Sequence, residues 1–451
     1  MRMIERGGNE GGDKRKSVKI DGDSKKKINR WKSLKEMKEY LRSEFEKKAK
    51  SWERRRGGTY LHFAAYLGDV DATKMLIEDN AEVNAVNYWN QTALHFAAIK
   101  GHVDVALEKL IERDTIFWVA SMTKAVTSVA ALQLVEQGKL SLDAPLSDYL
   151  PEFADLLVAP GGSMGADIVP ADGPILIKHL FTHTSGLSYG ETIVGPSDVS
   201  KMYDELDTFS TSSSTPTIMS TIASIPLRAQ PGTEFNYSMS TDVLGALIEK
   251  ISGLQLGEYM EANIFKPLGM NDTAFEIPED KLHRVAALFT PNKFTVQIPG
   301  QTKNFMPFEE QNYCRKKPAA HAGGAGLCST VDDFSKFMSA IMNDGKAIGG
   351  QILEPTTLKL LLENQLPGEL GDDPLTKSFG PAGKDLYFSL GLGISTDSER
   401  NPRYYWWAGA ANTFFWFDPN TELSGVFMTH HFPVMYMLIE QLYSGTTAAK
   451  L

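Results

Sequence analysis

Three stretches of the chain carry hydrophobic patterns strong enough to predict elements. From Trp31 to Trp52 the apolar residues Trp31, Leu34, Leu41, Phe45, Ala49 and Trp52 recur at steps of three or four residues or multiples of them, which predicts one amphipathic helix that packs on whatever follows it. An alanine-rich apolar run from Ser121 to Gln137, stopped by Gly138, predicts a second helix. Near the end, Thr413–Phe417 and Leu423–Thr429 are aromatic and β-branched arms around Asp418-Pro419-Asn420-Thr421, the pattern of a hairpin. Further helices are expected at 177–180, 239–253, 256–264, 331–344 and 355–363, a Gly/Pro-rich loop at 154–174, and an irregular Ser/Thr-rich flap at 190–216. A helical middle and a strand-rich end predict an α+β class with an antiparallel sheet beside a helical lobe.

One segment repeats itself. Thr59-Tyr60-Leu61-His62-Phe63-Ala64-Ala65 with Gly68 returns 33 residues later as Thr92-Ala93-Leu94-His95-Phe96-Ala97-Ala98 with Gly101. Period and letters resemble the ankyrin repeat. The resemblance implies a short all-α segment, His62 and His95 hydrogen-bonded in their turns, and a surface for a protein partner. Two repeats bury little area, so they must lean on the preceding helix or on the next domain. The second repeat breaks down at its end, where Leu110-Ile111-Glu112 follows Leu76-Ile77-Glu78 by 34 residues and no Gly/Pro/Ser linker intervenes. The expected organisation is therefore a basic disordered tail over 1–30, the amphipathic helix over 31–56, two repeats over 57–112, and one long mixed domain over 113–451.

Charge changes this picture only at the start. Residues 1–56 hold 20 Lys/Arg against 10 Asp/Glu, so the net charge of −10 leaves −20 on the remainder. That split marks a solvated tail on a folded body, with a nuclear-localisation patch as the sharper reading and no nucleic-acid role predicted. No stretch reaches the roughly 18 apolar residues of a membrane span, and no secretory leader is evident, which makes the cytoplasm the expected location. Cys314 and Cys328 are the two cysteines; they read as packing thiols, and neither a metal site nor a cofactor is expected.

The chemistry is carried by Ser121-Met122-Thr123-Lys124. A serine three residues before a lysine, at the head of a helix, sets a nucleophile and a base one turn apart on one face, under the positive potential of the helix N-terminus. Ser24-Lys25-Lys26-Lys27 has the same spacing inside a charge run, so context decides. Two G-x-S-x-G strings, at Gly161–Gly165 and Gly186–Gly190, lack the strand and helix that a nucleophile elbow requires. A proton-managing group and a second oxyanion N–H are still needed. Tyr237, in Asn236-Tyr237-Ser238-Met239, and the strand Trp406-Trp407-Ala408-Gly409-Ala410 are the candidates.

With these motifs in order, residues from about 114 onward look like the serine β-lactamase-like superfamily, and within it the family VIII carboxylesterases similar to class C β-lactamases. The resemblance implies a β-lactamase/transpeptidase-like fold. It implies Ser121 as nucleophile, Lys124 as base and Tyr237 as general base and proton relay. It also implies the Ser121 and Ala410 amides as oxyanion hole, and Met239, Trp407, Ala408 and Gly409 along the substrate. His183-Thr184-Ser185-Gly186-Leu187 and Gly323-Gly324-Ala325-Gly326-Leu327 match as scaffold. Met239 stands where β-lactamases carry asparagine and Trp407 where they carry lysine, which argues for small acyl esters rather than for β-lactams. The family's opening helix and two edge strands are replaced by the repeats, so one side of the sheet is expected to be short. A catalytically weak protein serving as a binding module, and a β-lactamase or D-amino peptidase activity, are the alternatives.

Overall fold

The computed structural model describes residues 33–48, 58–83, scattered positions from 85 to 105, 113–291 except 166 and 287, 305–307, 313–370, 375–376 and 383–430. The chain divides into two units, Met1–Leu110 and Ile111–Leu451.

In the first unit, α1 (Leu34–Lys48), α2 (Tyr60–Leu67) and α3 (Val70–Glu78) are the described helices. Met37 and Leu41 of α1 are buried with Leu61, Phe63, Ala64, Ala65, Ala72 and Leu76, so the periodic stripe faces the helix pair. Gly68 ends α2 in the left-handed conformation that its absent Cβ permits, and Asp69 then caps α3 through the Ala72 amide. His62 accepts the Thr59 amide at 3.1 Å, the turn role expected of it. Trp31, Trp52, Thr92 and His95 lie outside the described residues.

The second unit is built on α4 (Thr123–Glu136), a central helix buried on nearly every side. It packs against α8 (Ser240–Ser252), which ends at left-handed Gly253 and also meets α5 (Ile177–Phe181). A five-stranded antiparallel sheet, in the order β7-β6-β5-β4-β3, covers the core; its strands are β3 (Leu386–Phe388), β4 (Gly393–Thr396), β5 (Pro402–Gly409), β6 (Thr413–Asp418) and β7 (Leu423–Phe427). The predicted aromatic hairpin is β6 and β7, paired Phe415 to Val426 and Phe417 to Ser424. Separately, β1 (Phe117–Trp118) pairs with β2 (Cys328–Ser329). Among the described residues β7 forms one edge of the sheet.

Two expectations are corrected. The stretch 190–216 is not an irregular flap: it holds α6 (Asp198–Glu205), and Ser214 caps α7 (Thr215–Ser224). Its serines and threonines read as loop because the same short hydroxyls serve as N-caps; Ser197 accepts the Ser200 amide and Ser214 the Thr217 amide. The cysteines are not separate thiols either, since Cys314 and Cys328 are joined in a disulfide. Among the described residues no helix is long and apolar enough to cross a membrane.

Candidate active site

Ser121 sits in a 3-10 turn, Ala120–Met122, that runs directly into α4. The backbone is forced there. Ala120 has φ +46°, a left-handed conformation that side chains resist at a cost of about 1–3 kcal/mol. Packing imposes it: the Val119 amide donates to Leu327 at 3.0 Å, its carbonyl accepts from Thr413 Oγ1 at 3.0 Å, and Thr123 Oγ1 ties the Ala120 carbonyl at 2.6 Å.

Lys124 is 1% exposed. Its Nζ lies 3.4 Å from Ser121 Oγ, 2.9 Å from the Tyr189 hydroxyl and 2.7 Å from the Gly324 carbonyl oxygen. Burial pulls the ammonium down to about 7, against the opposing pull of the Asp242 carboxylate. A neutral amine can therefore donate to Gly324 and Tyr189 and turn its lone pair to the serine proton. Asp242, in the first turn of α8, accepts the Gly324 amide at 2.9 Å, and burial pushes its carboxyl up.

Tyr237 lies on the loop before α8, with Lys124 Nζ 4.8 Å from its ring centroid. Burial of its hydroxyl raises it above the ordinary phenol range, while the Ser121 hydroxyl and the Trp407 indole, both within reach, pull it back. His183 fixes this loop from both sides. Its carbonyl accepts the Asn236 amide at 2.7 Å and its Nδ1 the Ser238 amide at 3.3 Å. Nδ1 can accept because burial, reinforced by Lys124, holds the imidazole neutral.

Trp407 on β5 packs tilted against Tyr237, ring centroids 5.5 Å apart, and edge-to-face with Phe388 at 5.0 Å. Two residues on, a Cβ at Gly409 would strike the Val119 carbonyl and Thr413 Oγ1, so the bare glycine lets β5 close on the serine turn. Half-buried Ala408 and Ala410 flank it. The structure thus gathers Ser121, Lys124, Tyr237 and Trp407. Met239 goes elsewhere: it is 2% exposed and lines a cavity with Asp242, Phe275 and Tyr313.

The β-lactamase family model matches residues 68–439, most of the chain. The chain belongs to the β-lactamase family. An uncharacterized Mycobacterium tuberculosis protein is 31% identical over 348 residues, covering 74% of this chain and 82% of that one. Esterase EstB of Burkholderia gladioli is 32% identical over 268 residues, 54% of this chain and 61% of its own. Among solved structures, EstCE1, a hydrolase with promiscuous acyltransferase activity, matches with TM-score 0.56 at 25% identity, covering 71% of this chain and 81% of its own. The second unit accordingly has the β-lactamase/transpeptidase-like fold, and the relatives of this β-lactamase-family chain include esterases and acyltransferases.

Sequence reasoning missed Tyr189 and Asp242. Tyr189 lies inside the Gly186–Gly190 string, and Asp242 follows Tyr237 by five residues. An acidic residue in the first turn of an otherwise apolar helix was the signal for Asp242; for Tyr189 the sequence offered none.

Proposed function

We propose that the second unit is a serine hydrolase that cleaves small acyl esters through an acyl-Ser121 intermediate. The observation that carries this is the buried Lys124 amine, about 7 in its proton affinity and 3.4 Å from Ser121 Oγ. Lys124 takes the serine proton as Oγ attacks the ester carbonyl. The Ser121 and Ala410 amides hold the oxyanion, with Gly409 letting β5 approach. Tyr237, between Ser121 and Trp407, returns the proton to the leaving alcohol and then helps water attack the acyl group. Ala408 and Gly409 border the substrate beside Trp407.

Support for esters over β-lactams comes from two side chains and from the relatives. Trp407 brings no cation for an antibiotic carboxylate, and Met239 is buried in a cavity wall rather than offering an amide. EstB and the lovastatin esterase of Penicillium rubens, the latter 29% identical over 331 residues, are esterases by name. The test compares p-nitrophenyl butyrate with nitrocefin. Ester kcat/KM should exceed the nitrocefin value by at least about a hundredfold; parity would remove the ester assignment.

A second reading concerns the first unit. The Thr59–His62 turn, the α2–α3 pair and the 33-residue repeat of letters support an ankyrin-type protein-binding module. A weak or inert hydrolase in the same chain draws support from β7, which is the sheet edge among the described residues and is half-buried or exposed. A fluorophosphonate probe separates the two: labelling at Ser121 favours the enzyme, and none favours the inert partner.

A further inference from the structure

Ester hydrolysis leaves behind a proton that acyl transfer does not. In the reaction proposed above, on which this inference rests, acylation moves the Ser121 proton to the leaving alcohol, and deacylation moves a water proton to Ser121 Oγ. Neither step changes the protons held by the enzyme. The product of hydrolysis, however, is a carboxylic acid, far stronger than an ammonium group. It leaves as the carboxylate, and its proton stays on Lys124 Nζ. When an alcohol takes the acyl group, the product is a neutral ester and Nζ stays free. Lys124 is 1% exposed, so after each hydrolysis it must lose a proton without direct contact with bulk water.

The structure provides a path. Nζ meets the Tyr189 hydroxyl at 2.9 Å, and the Tyr189 hydroxyl lies beside the Asp242 carboxylate. Asp242 is 6% exposed; Oδ1 takes the Gly324 amide, and beyond the nearby Tyr189 hydroxyl no group among the described residues satisfies Oδ2. A buried carboxylate oxygen short of partners is costly and points to water. Asp242 lines a cavity of about 40 Å³ with Thr208, Ser210, Thr211, Tyr313 and His321. That space admits two or more waters at about 10–15 Å³ each, with hydroxyls to hold them. Ser121, Tyr237 and Trp407 are not in its wall.

We propose that Tyr189 and Asp242 form a proton exit from Lys124 into this cavity, needed for hydrolysis and dispensable for acyl transfer. A proton passes from Nζ to the Tyr189 oxygen as the Tyr189 proton passes to the Asp242 carboxylate, and from there to cavity water; no other bond changes. The groups facing Lys124 are Tyr189, Tyr237, His183 and Asp242, and those facing Asp242 are Lys124, Tyr189, Tyr237 and Tyr313. His321, in the cavity wall, faces Glu249, Glu258 and Glu276. Asp242 is the one carboxylate acting on Lys124 in this set, so its removal makes the amine easier to deprotonate.

The experiment uses the full chain with Asp242→Asn and Tyr189→Phe, the second keeping the ring stack on Phe209 at 5.4 Å. Turnover of ethyl butyrate, whose leaving alcohol keeps its proton, is measured by gas chromatography in water and with methanol in enough excess that methyl butyrate is the main product. Hydrolysis should fall about tenfold or more in both variants while methanolysis falls less than about threefold. In Asp242→Asn the acid limb of the pH profile should also move to lower pH, which a purely structural defect would not produce. An equal loss in both media, or an unmoved acid limb, overturns the exit. Full hydrolysis by Ser121→Ala would instead overturn the acyl-serine reading, so the two failures are distinguishable.

Discussion

Among the described residues, two helices begin with a hydroxyl three residues before a nitrogen base. At α2, Thr59 Oγ1 and His62 Nδ1 are 2.8 Å apart; at α4, Ser121 Oγ and Lys124 Nζ are 3.4 Å apart. The first pair is a cap. His62 Nδ1 also accepts the Thr59 amide, Thr59 is in relaxed extended geometry, and its side chain is exposed. The second pair is surrounded by residues remote in sequence: Tyr189, Tyr237, Asp242 and Gly324 enclose the lysine, and β5 and β6 force the strained turn at Ala120. Spacing creates the pair in both cases. Long-range burial converts only one of them into an acid–base system.

The comparison breaks most severely if the base at α4 is removed. Lys124→Met should lower ester kcat/KM by about a thousandfold or more, because the serine loses its proton acceptor. In the unaltered chain, kcat/KM should decline as the pH falls below about 7, where Nζ is protonated and cannot accept, and level off above it. A profile flat from pH 5 to 9 would show that Lys124 is not the base.

Gly409→Ala comes next. Its methyl group meets the Val119 carbonyl and must push β5 off the serine turn, so stability should drop by about 1–3 kcal/mol and turnover by about tenfold or more. Thermal melting and ester kinetics read both. Trp407→Phe keeps a ring against Tyr237 and Phe388 but deletes the indole N–H near the Tyr237 hydroxyl. That N–H pulls the Tyr237 hydroxyl toward its ionised form, and its loss predicts a fall in kcat of up to about tenfold. The smallest effect on activity is expected at the cap: Thr59→Ala should cost the first unit about 1 kcal/mol, seen as faster amide exchange in α2, with ester turnover within about twofold of the unaltered chain.

What the sequence made legible follows the same division. Local patterns told the truth about α1, α4, α8 and the β6–β7 hairpin, because periodicity, Gly138 and Gly253 act over a few residues. Ser121, Lys124, Tyr237 and Trp407 were legible as short strings in order. Tyr189 and Gly324 were not, since they reach Lys124 across 65 and 200 residues and carry no spacing signal. The Cys314–Cys328 bond was missed for a related reason: two cysteines fourteen apart read equally well as thiols until the chain brings β2 back against the loop before it. Met239 was assigned to the substrate from its place in the tyrosine motif. Its position at the start of α8 turns it into the cavity wall instead.

The central claim is that Ser121 becomes acylated. The most direct measurement quenches the protein in acid during turnover of p-nitrophenyl butyrate and maps the butyryl group by peptide mass spectrometry. The account predicts butyrylation of the peptide containing Ser121, and its loss in Ser121→Ala together with turnover. A butyryl group on another residue, or undiminished turnover by Ser121→Ala, would contradict it.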